Sequence, residues 1–378
     1  MNDPWKPTRP ILMTADPIGG VWTYALELCR EYGKLDVSVA LATMGRRLTE
    51  GQKRSVESLP NVELHESDYK LEWMANPWNS VREAGEWLLD LEARVGPALI
   101  HLNQYSHGAL RWKVPCLVVG HSCVLSWFEA VKRTPAGAEW ERYRHMVALG
   151  LRGADLVTAP SRFMLAELHR HYASFAAANP VYNGRNAAAF ISGAKEPLVL
   201  TAGRLWDEAK NISVLQHVAG KIHWPIYAAG DNQSPDGKRI DLDALTCLGP
   251  LDENALASWY SRAPIFVVPA RYEPFGLTAL EAGLSGCALV LGDIPSLREI
   301  WGDAAVFVAP DDAEEIQSAL FDLIKDSSLR QALAERARVR GLTFTAERMA
   351  QGYLHLYEHM LSGLTQSVSE YFGQHSER

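Results

Sequence analysis

Two carboxylates, Glu273 and Glu281, bracket the stretch Arg271-Tyr-Glu-Pro-Phe-Gly-Leu-Thr-Ala-Leu-Glu281. The apolar run at 265–269 before it reads as a buried strand, and a helix then opens at Leu277 and ends near Gly283 to Gly286. The free N–H groups and positive dipole end of such a helix make a site for a phosphate. Glu273 lies just before these amides, and Glu281 lies more than one turn into the helix. At a rise of about 1.5 Å per residue, that places the second carboxylate roughly a ribose width from the phosphate. Carboxylates accept hydrogen bonds from sugar hydroxyls. The spacing therefore suits a ligand built as sugar, diphosphate and ribose.

A second group of charges follows the strand expected at 198–202, in Ala202-Gly-Arg204-Leu-Trp-Asp-Glu-Ala-Lys210-Asn211. Arg204 offers a planar fork and Lys210 a mobile point charge, and together they can hold a diphosphate. Gly203, before Arg204, lets the backbone come close to a ligand. Asp16-Pro-Ile-Gly19-Gly20 ends the first strand with the same freedom, and it lacks the Gly-x-Gly-x-x-Gly of a dinucleotide-binding dehydrogenase. His121 ends the strand at 116–120 as a hydrogen-bonding group for a sugar hydroxyl. Asn103, Gln104 and His107 end the strand at 98–102.

The segment from Arg271 to Glu281 resembles the donor-site signature of retaining glycosyltransferases of family four, the group 1 glycosyl transferases with the GT-B fold. Two glutamates separated by seven residues, with Pro-Phe-Gly after the first, carry the resemblance. The Arg204/Lys210 loop, the Gly19-Gly20 loop, His121 and the Gly230-Asp231 pair agree in order. Pro180-Val-Tyr-Asn-Gly184-Arg185-Asn is similar to the family's Pro-Asn-Gly-Val-Asp turn but departs from it on both sides of Asn-Gly, and a structural role at a hinge is expected there. Leu248-Gly-Pro-Leu251-Asp252 resembles the loop lining the nucleotide base.

What the resemblance implies is specific. Glu281 binds ribose. The amides of Phe275, Gly276, Leu277 and Thr278 bind the diphosphate with Arg204 and Lys210. Glu273 binds sugar hydroxyls, Leu251 meets the base by its main chain, and His121 lies at the sugar end. Asn103, Gln104 and His107 face an acceptor. The reaction implied is transfer of a sugar from a nucleoside diphosphate, UDP ahead of GDP, to a hydroxyl with retained anomeric configuration, in glycan, polysaccharide or glycoconjugate synthesis. A GT-B epimerase and a non-catalytic nucleotide-sugar-binding protein remain as alternatives. No cofactor is expected. No Asp-x-Asp or zinc-type cluster stands in a metal-binding setting, so metal-independent chemistry is expected.

These residues need a scaffold that presents strand ends. The chain of 378 residues is long for one core. Apolar runs alternate with helical patterns in both halves, which implies parallel sheets covered by helices. The expected α/β architecture is GT-B: two Rossmann-like domains with parallel sheets facing each other across a cleft. The expected boundaries are 1–180, a hinge at 181–197, 198–344, and a helix from 345 crossing back to the first domain before a polar tail to 378. The net charge of −8 argues against general nucleic-acid binding. No apolar run reaches the roughly 20 residues of a membrane span. Residues 1–10 lack a signal-peptide pattern, and five scattered cysteines suit a reducing compartment. The cytoplasm is therefore expected. Arg46, Arg47, Lys53 and Arg54 form either a solvated loop or a patch for peripheral association with the inner membrane face.

Overall fold

The computed structural model describes residues 5–234 and 237–363. The chain divides into two compact units. The first takes residues up to Ser126, Pro135–Gly184 and the segment from Ala346; the second takes Trp127–Thr134 and Arg185–Thr345.

In the first unit six strands form one parallel sheet: β1 (Ile11–Ala15), β2 (Val39–Thr43), β3 (Val62–Glu66), β4 (Leu99–Leu102), β5 (Cys116–Val119) and β6 (Leu156–Thr158). Their order is β3-β2-β1-β4-β5-β6. β1 reads Ile-Leu-Met-Thr-Ala with every residue buried, as a strand covered on both faces requires. Ile11 pairs with Val39 on one side and Leu99 on the other. The chain thus leaves β1 in one direction and later returns to its other side. The crevice beyond the carboxyl ends of β1 and β4 is a topological switch point, where open α/β sheets place ligands. Around this sheet run α1 (Gly20–Lys34), α2 (Glu50–Glu57), α3 (Trp78–Val95), α4 (Val124–Trp127, reaching the unit boundary), α5 (Glu141–Gly153) and α6 (Arg162–Tyr172).

The second unit repeats the plan with β7 (Val199–Ala202), β8 (Ile226–Ala229), β9 (Thr246–Gly249), β10 (Ile265–Val268), β11 (Ala288–Gly292) and β12 (Val306–Val308), ordered β12-β11-β10-β7-β8-β9. Its switch point lies between β7 and β10, the strands whose ends carry Arg204/Lys210 and Glu273. The helices are α7 (Gln216–Ala219), α8 (Glu253–Arg262), α9 (Leu277–Leu284), α10 (Pro295–Trp301), α11 (Ala313–Lys325) and α12 (Ser327–Gly341). The last described helix, α13 (Ala346–Ser362), belongs to the first unit, where Met349, Tyr353, Leu354 and Tyr357 join the core cluster that holds Tyr24, Leu28 and Tyr32 of α1.

Three elements escape the sequence pattern. β9 is an edge strand with Thr246 and Cys247 exposed, so it lacks the apolar run that marks its neighbours. α10 is one short helix opened by Pro295. α2 replaces the loop expected around Lys53 and Arg54; Thr49 and Gln52 close a capping box at its start. Arg46 donates to the carbonyls of Arg47 and Pro17, and Arg47 faces Glu66 and Asp68, so the four basic side chains do not present one bare cationic surface.

Candidate active site

The loop after β7 is built on glycine. Gly203 has φ 145° and Gly230, after β8, has φ 139°. A Cβ on Gly230 would lie 1.8 Å from the carbonyl oxygen of Gly203, so the two turns nest only because Gly230 has no side chain. Gly230→Ala is expected to cost about 3 kcal/mol or more, combining overpacking with a strained φ, and to displace the Gly203–Arg204 turn. Denaturant midpoints at constant m would show it; a loss under 1 kcal/mol would mean the turns part without penalty.

Beyond Gly203, Arg204 donates from Nη2 to Oδ2 of Asp207 at 2.7 Å and lies over the Trp206 ring, 5.6 Å from its centre. Asp207 is buried. Its Oδ1 accepts from the Ala209 amide at 3.0 Å and from Trp127 Nε1 at 3.4 Å. Burial alone would raise its carboxyl, but Arg204, Lys210 and the Ala209 amide hold it below the usual carboxylate range. The Ala209 carbonyl accepts from the Arg271 amide at 2.8 Å, which ties the β7 loop to the β10 loop. Lys210 then forms an ion pair with Glu273, both side chains mostly buried. Ser296 Oγ donates to the Glu273 carbonyl at 2.5 Å. Two groups assigned from sequence to diphosphate and sugar, 63 positions apart, thus meet at the switch point.

Gly276 has φ 92° and stands at the N-cap of α9, with no side chain capping its first turn. The amides there are left to another acceptor, as a phosphate site requires. Leu277 and Thr278 form that turn. The Phe275 side chain is buried edge-on against Phe344, 5.6 Å between ring centres, so its part in the site is confined to its backbone. Glu281 is buried on α9 and faces Arg185, whose Nε lies 2.9 Å from Oε1. Arg185 also pairs with Glu253, in the first turn of α8. Leu251 precedes that helix, and Asp252 caps it by accepting from the Ala255 amide at 2.8 Å. Arg185 therefore links the helix after Leu251 to the helix that carries Glu281. Sequence reading gave this turn a structural role without seeing the link, and it missed Asp207. The i,i+3 spacing of Arg204 and Asp207 was the available signal for the latter.

In the first unit, Gly19 has φ 81° and Gly20 opens α1, again with no side-chain cap. His121 is half-buried, with Nε2 2.7 Å from Oδ1 of Asn103 and its ring against the edge of Tyr24. Two of the expected acceptor-facing trio, Gln104 and His107, are buried in the structure, which corrects that expectation for them. Gln104 is buried and accepts from the Thr14 hydroxyl at 2.6 Å. His107 is buried with Nε2 2.9 Å from the Val81 carbonyl. Asn103 spends its amide on Thr14 and His121. Gln104 and His107 turn inward, while Asn103 is half-buried; Gly108 and Gly150 allow the 3-10 turn after β4 to pack tightly on α5.

Among the described residues no helix is long and apolar enough to cross a membrane.

Comparison with known proteins agrees with this architecture. Residues 18–188 match the model of Glycosyltransferase Family 4, and residues 196–326 match that of Glycosyl transferases group 1. The chain is 31% identical over 162 residues to O-antigen chain mannosyltransferase B of Escherichia coli, a stretch covering 43% of this chain and 37% of that protein. The match thus spans little more than a third of the relative's length. Among solved structures, sucrose-phosphate synthase from Thermosynechococcus elongatus superposes with a TM-score of 0.76 at 22% identity, covering 94% of this chain and all of that one. Anabaena Alr3699/HepE in complex with UDP-glucose gives 0.74 at 15%, with coverage of 94% and 100%. With both family models placed on successive stretches of two six-stranded parallel sheets, the chain belongs to the family-four, group 1 glycosyltransferases of GT-B fold.

Proposed function

We propose that the protein transfers a sugar from a nucleoside diphosphate to an acceptor hydroxyl, with retention of anomeric configuration. The observation that carries this reading is the meeting of Lys210 and Glu273 at the β7/β10 switch point, beside the uncapped first turn of α9. In the proposed complex the amides of Gly276, Leu277 and Thr278, with Arg204 and Lys210, hold the diphosphate. Glu281 takes the ribose hydroxyls and Glu273 the sugar hydroxyls. The backbone of Leu251 borders the base. Gly203 gives close backbone approach there, and Gly19 and Gly20 offer the same at the first unit's own strand end. His121 belongs to the first unit's own switch point and serves a hydroxyl-bearing group there.

The chemistry needs no covalent enzyme intermediate. The bond from the anomeric carbon to the phosphate oxygen breaks as the acceptor oxygen bonds to the same face. The acceptor proton passes to the departing phosphate. Positive groups fixed where negative charge grows stabilise that transition state more than the resting donor. Because Arg204, Lys210 and the helix amides supply the positive charge, the reading includes metal independence and no cofactor. A glycan, polysaccharide or glycoconjugate acceptor is supported by what the relatives are named for, and a cytoplasmic site of action, free or at the membrane face, is part of the same proposal.

Calorimetry and thermal shift with UDP, UDP-glucose, GDP and GDP-mannose test it. A ligand at 100 times its Kd stabilises by about 2.7 kcal/mol. At least one sugar nucleotide is expected to bind, to be consumed with an acceptor present, and to be turned over equally with EDTA. Silence across a wide panel of nucleoside diphosphate sugars would remove the reading; activity lost to EDTA and restored only by a divalent ion would remove its metal-free part.

A further inference from the structure

The amide of Asn103 has only one consistent orientation. Its Nδ2 lies 2.6 Å from the Thr14 carbonyl oxygen, which can only accept. The flipped amide would set two acceptors against each other. Thr14 is itself fixed: its hydroxyl donates to Gln104 at 2.6 Å and accepts from the Asn103 backbone N–H at 2.9 Å. The atom facing His121 is therefore the carbonyl oxygen Oδ1, 2.7 Å from Nε2. That oxygen also only accepts, so Nε2 must carry the hydrogen.

We infer that Asn103, anchored on Thr14, is a positioning residue that holds His121 in the tautomer protonated on Nε2, leaving Nδ1 as a hydrogen-bond acceptor for a hydroxyl. Burial pushes the imidazole down to about 3, so at neutral pH the ring carries one hydrogen and Asn103 decides where it sits. Among the described residues, the groups bonded to it or stacked on it supply no competing charge. Tyr24 of α1 presents its ring edge, 4.5 Å between centres, and its hydroxyl is bonded to His101 of β4, also pushed down to about 3, first by burial and then by His121. At Nδ1, the nitrogen left for a ligand, His121 is thereby confined to accepting. It reads a hydroxyl and does not protonate a leaving phosphate at neutral pH. Only the source of that hydroxyl rests on the glycosyl-transfer reading.

Nitrogen-15 NMR of the histidine rings in the full chain tests the assignment without any substrate. At pH 7 wild-type His121 is expected to show a protonated Nε2 and a bare Nδ1. A proton on Nδ1, or on both, overturns it. In Asn103→Leu the two nitrogens are expected to move toward averaged shifts as the tautomers exchange; unchanged shifts would overturn the role of Asn103. In Asn103→Asp the carboxylate is expected to raise the His121 titration midpoint by at least one pH unit, and an unmoved midpoint would place the residue elsewhere.

A double-mutant cycle on sugar-nucleotide consumption separates this role from direct substrate contact. Asn103→Leu and His121→Ala are each expected to lower kcat/KM about tenfold, equivalent to about 1.4 kcal/mol. The double variant is expected to lose no more than His121→Ala alone. Additive losses would show Asn103 acting on the substrate itself. Absence of any turnover in the wild type would instead count against the proposed function, and the NMR result would stand alone.

Discussion

Lys210→Ala is expected to lower kcat/KM by about 100- to 1,000-fold while leaving the fold intact. That is the loss found when one fixed donor to a developing negative charge is removed, about 2.7–4 kcal/mol. Lys210 is well placed to incur it. Its side chain is only 14% exposed, so its charge acts through little water. Glu273 holds the ammonium in place before any ligand arrives, and the backbone link from Ala209 to Arg271 holds the two loops in register. Arg204→Ala is expected to lose a similar factor. Its guanidinium is held to one side by Asp207 at 2.7 Å, so Asp207→Asn, which weakens that hold, is expected to lose less. The split between constants is informative. If Lys210 acts on the leaving group in the transition state, kcat falls with kcat/KM and KM moves little. If KM alone rises, Lys210 merely binds the donor. Near wild-type turnover in Lys210→Ala or Arg204→Ala would end the assignment of the leaving-group site.

The fold was legible where local pattern and tertiary burial coincide. Residues 277–284 are bounded in the structure as the sequence implies, because an apolar run there ends at serine. β9 was lost for the opposite reason. An exposed edge strand needs no apolar face, so nothing in Thr246–Gly249 announces it. The site followed the same rule. Glu273, Glu281, Arg204 and Lys210 were picked out by their places beyond strand ends and by the family resemblance, and the structure sets Lys210 against Glu273. Asn103, Gln104 and His107 also follow a strand, and their polarity suggested a face toward ligand. The structure bonds them to Thr14 and Val81 and buries Gln104 and His107, since the same side chains that can bind a ligand can satisfy internal polar groups. Pairing between distant segments was beyond reach, and Arg185 is the clearest instance.

Arg185→Ala is expected to destabilise the second unit by about 3–5 kcal/mol, the usual cost of removing one partner from a buried ion pair. Arg185 is 2% exposed and its partner Glu281 is 8% exposed, so loss of the guanidinium leaves a buried carboxylate without that cation. The contact with Glu253, whose side chain is 45% exposed, adds little by comparison. Stacking of the guanidinium on Phe190, 5.0 Å from the ring centre, is lost as well. Because the main pair is buried, the deficit should persist in high salt, unlike that of a surface pair. Urea unfolding followed by tryptophan fluorescence would measure it. The companion variant Arg185→Met with Glu281→Leu removes both charges and keeps the volume filled. It is expected to recover most of the stability, since well-packed apolar replacements of buried pairs are often neutral. It should nonetheless lose nucleotide binding, because Glu281 is the proposed ribose ligand. Stability and binding would then part in one variant, showing that Arg185 and Glu281 are retained for what Glu281 recognises. A loss below 1 kcal/mol in Arg185→Ala, or full nucleotide affinity in the double variant, would contradict that account.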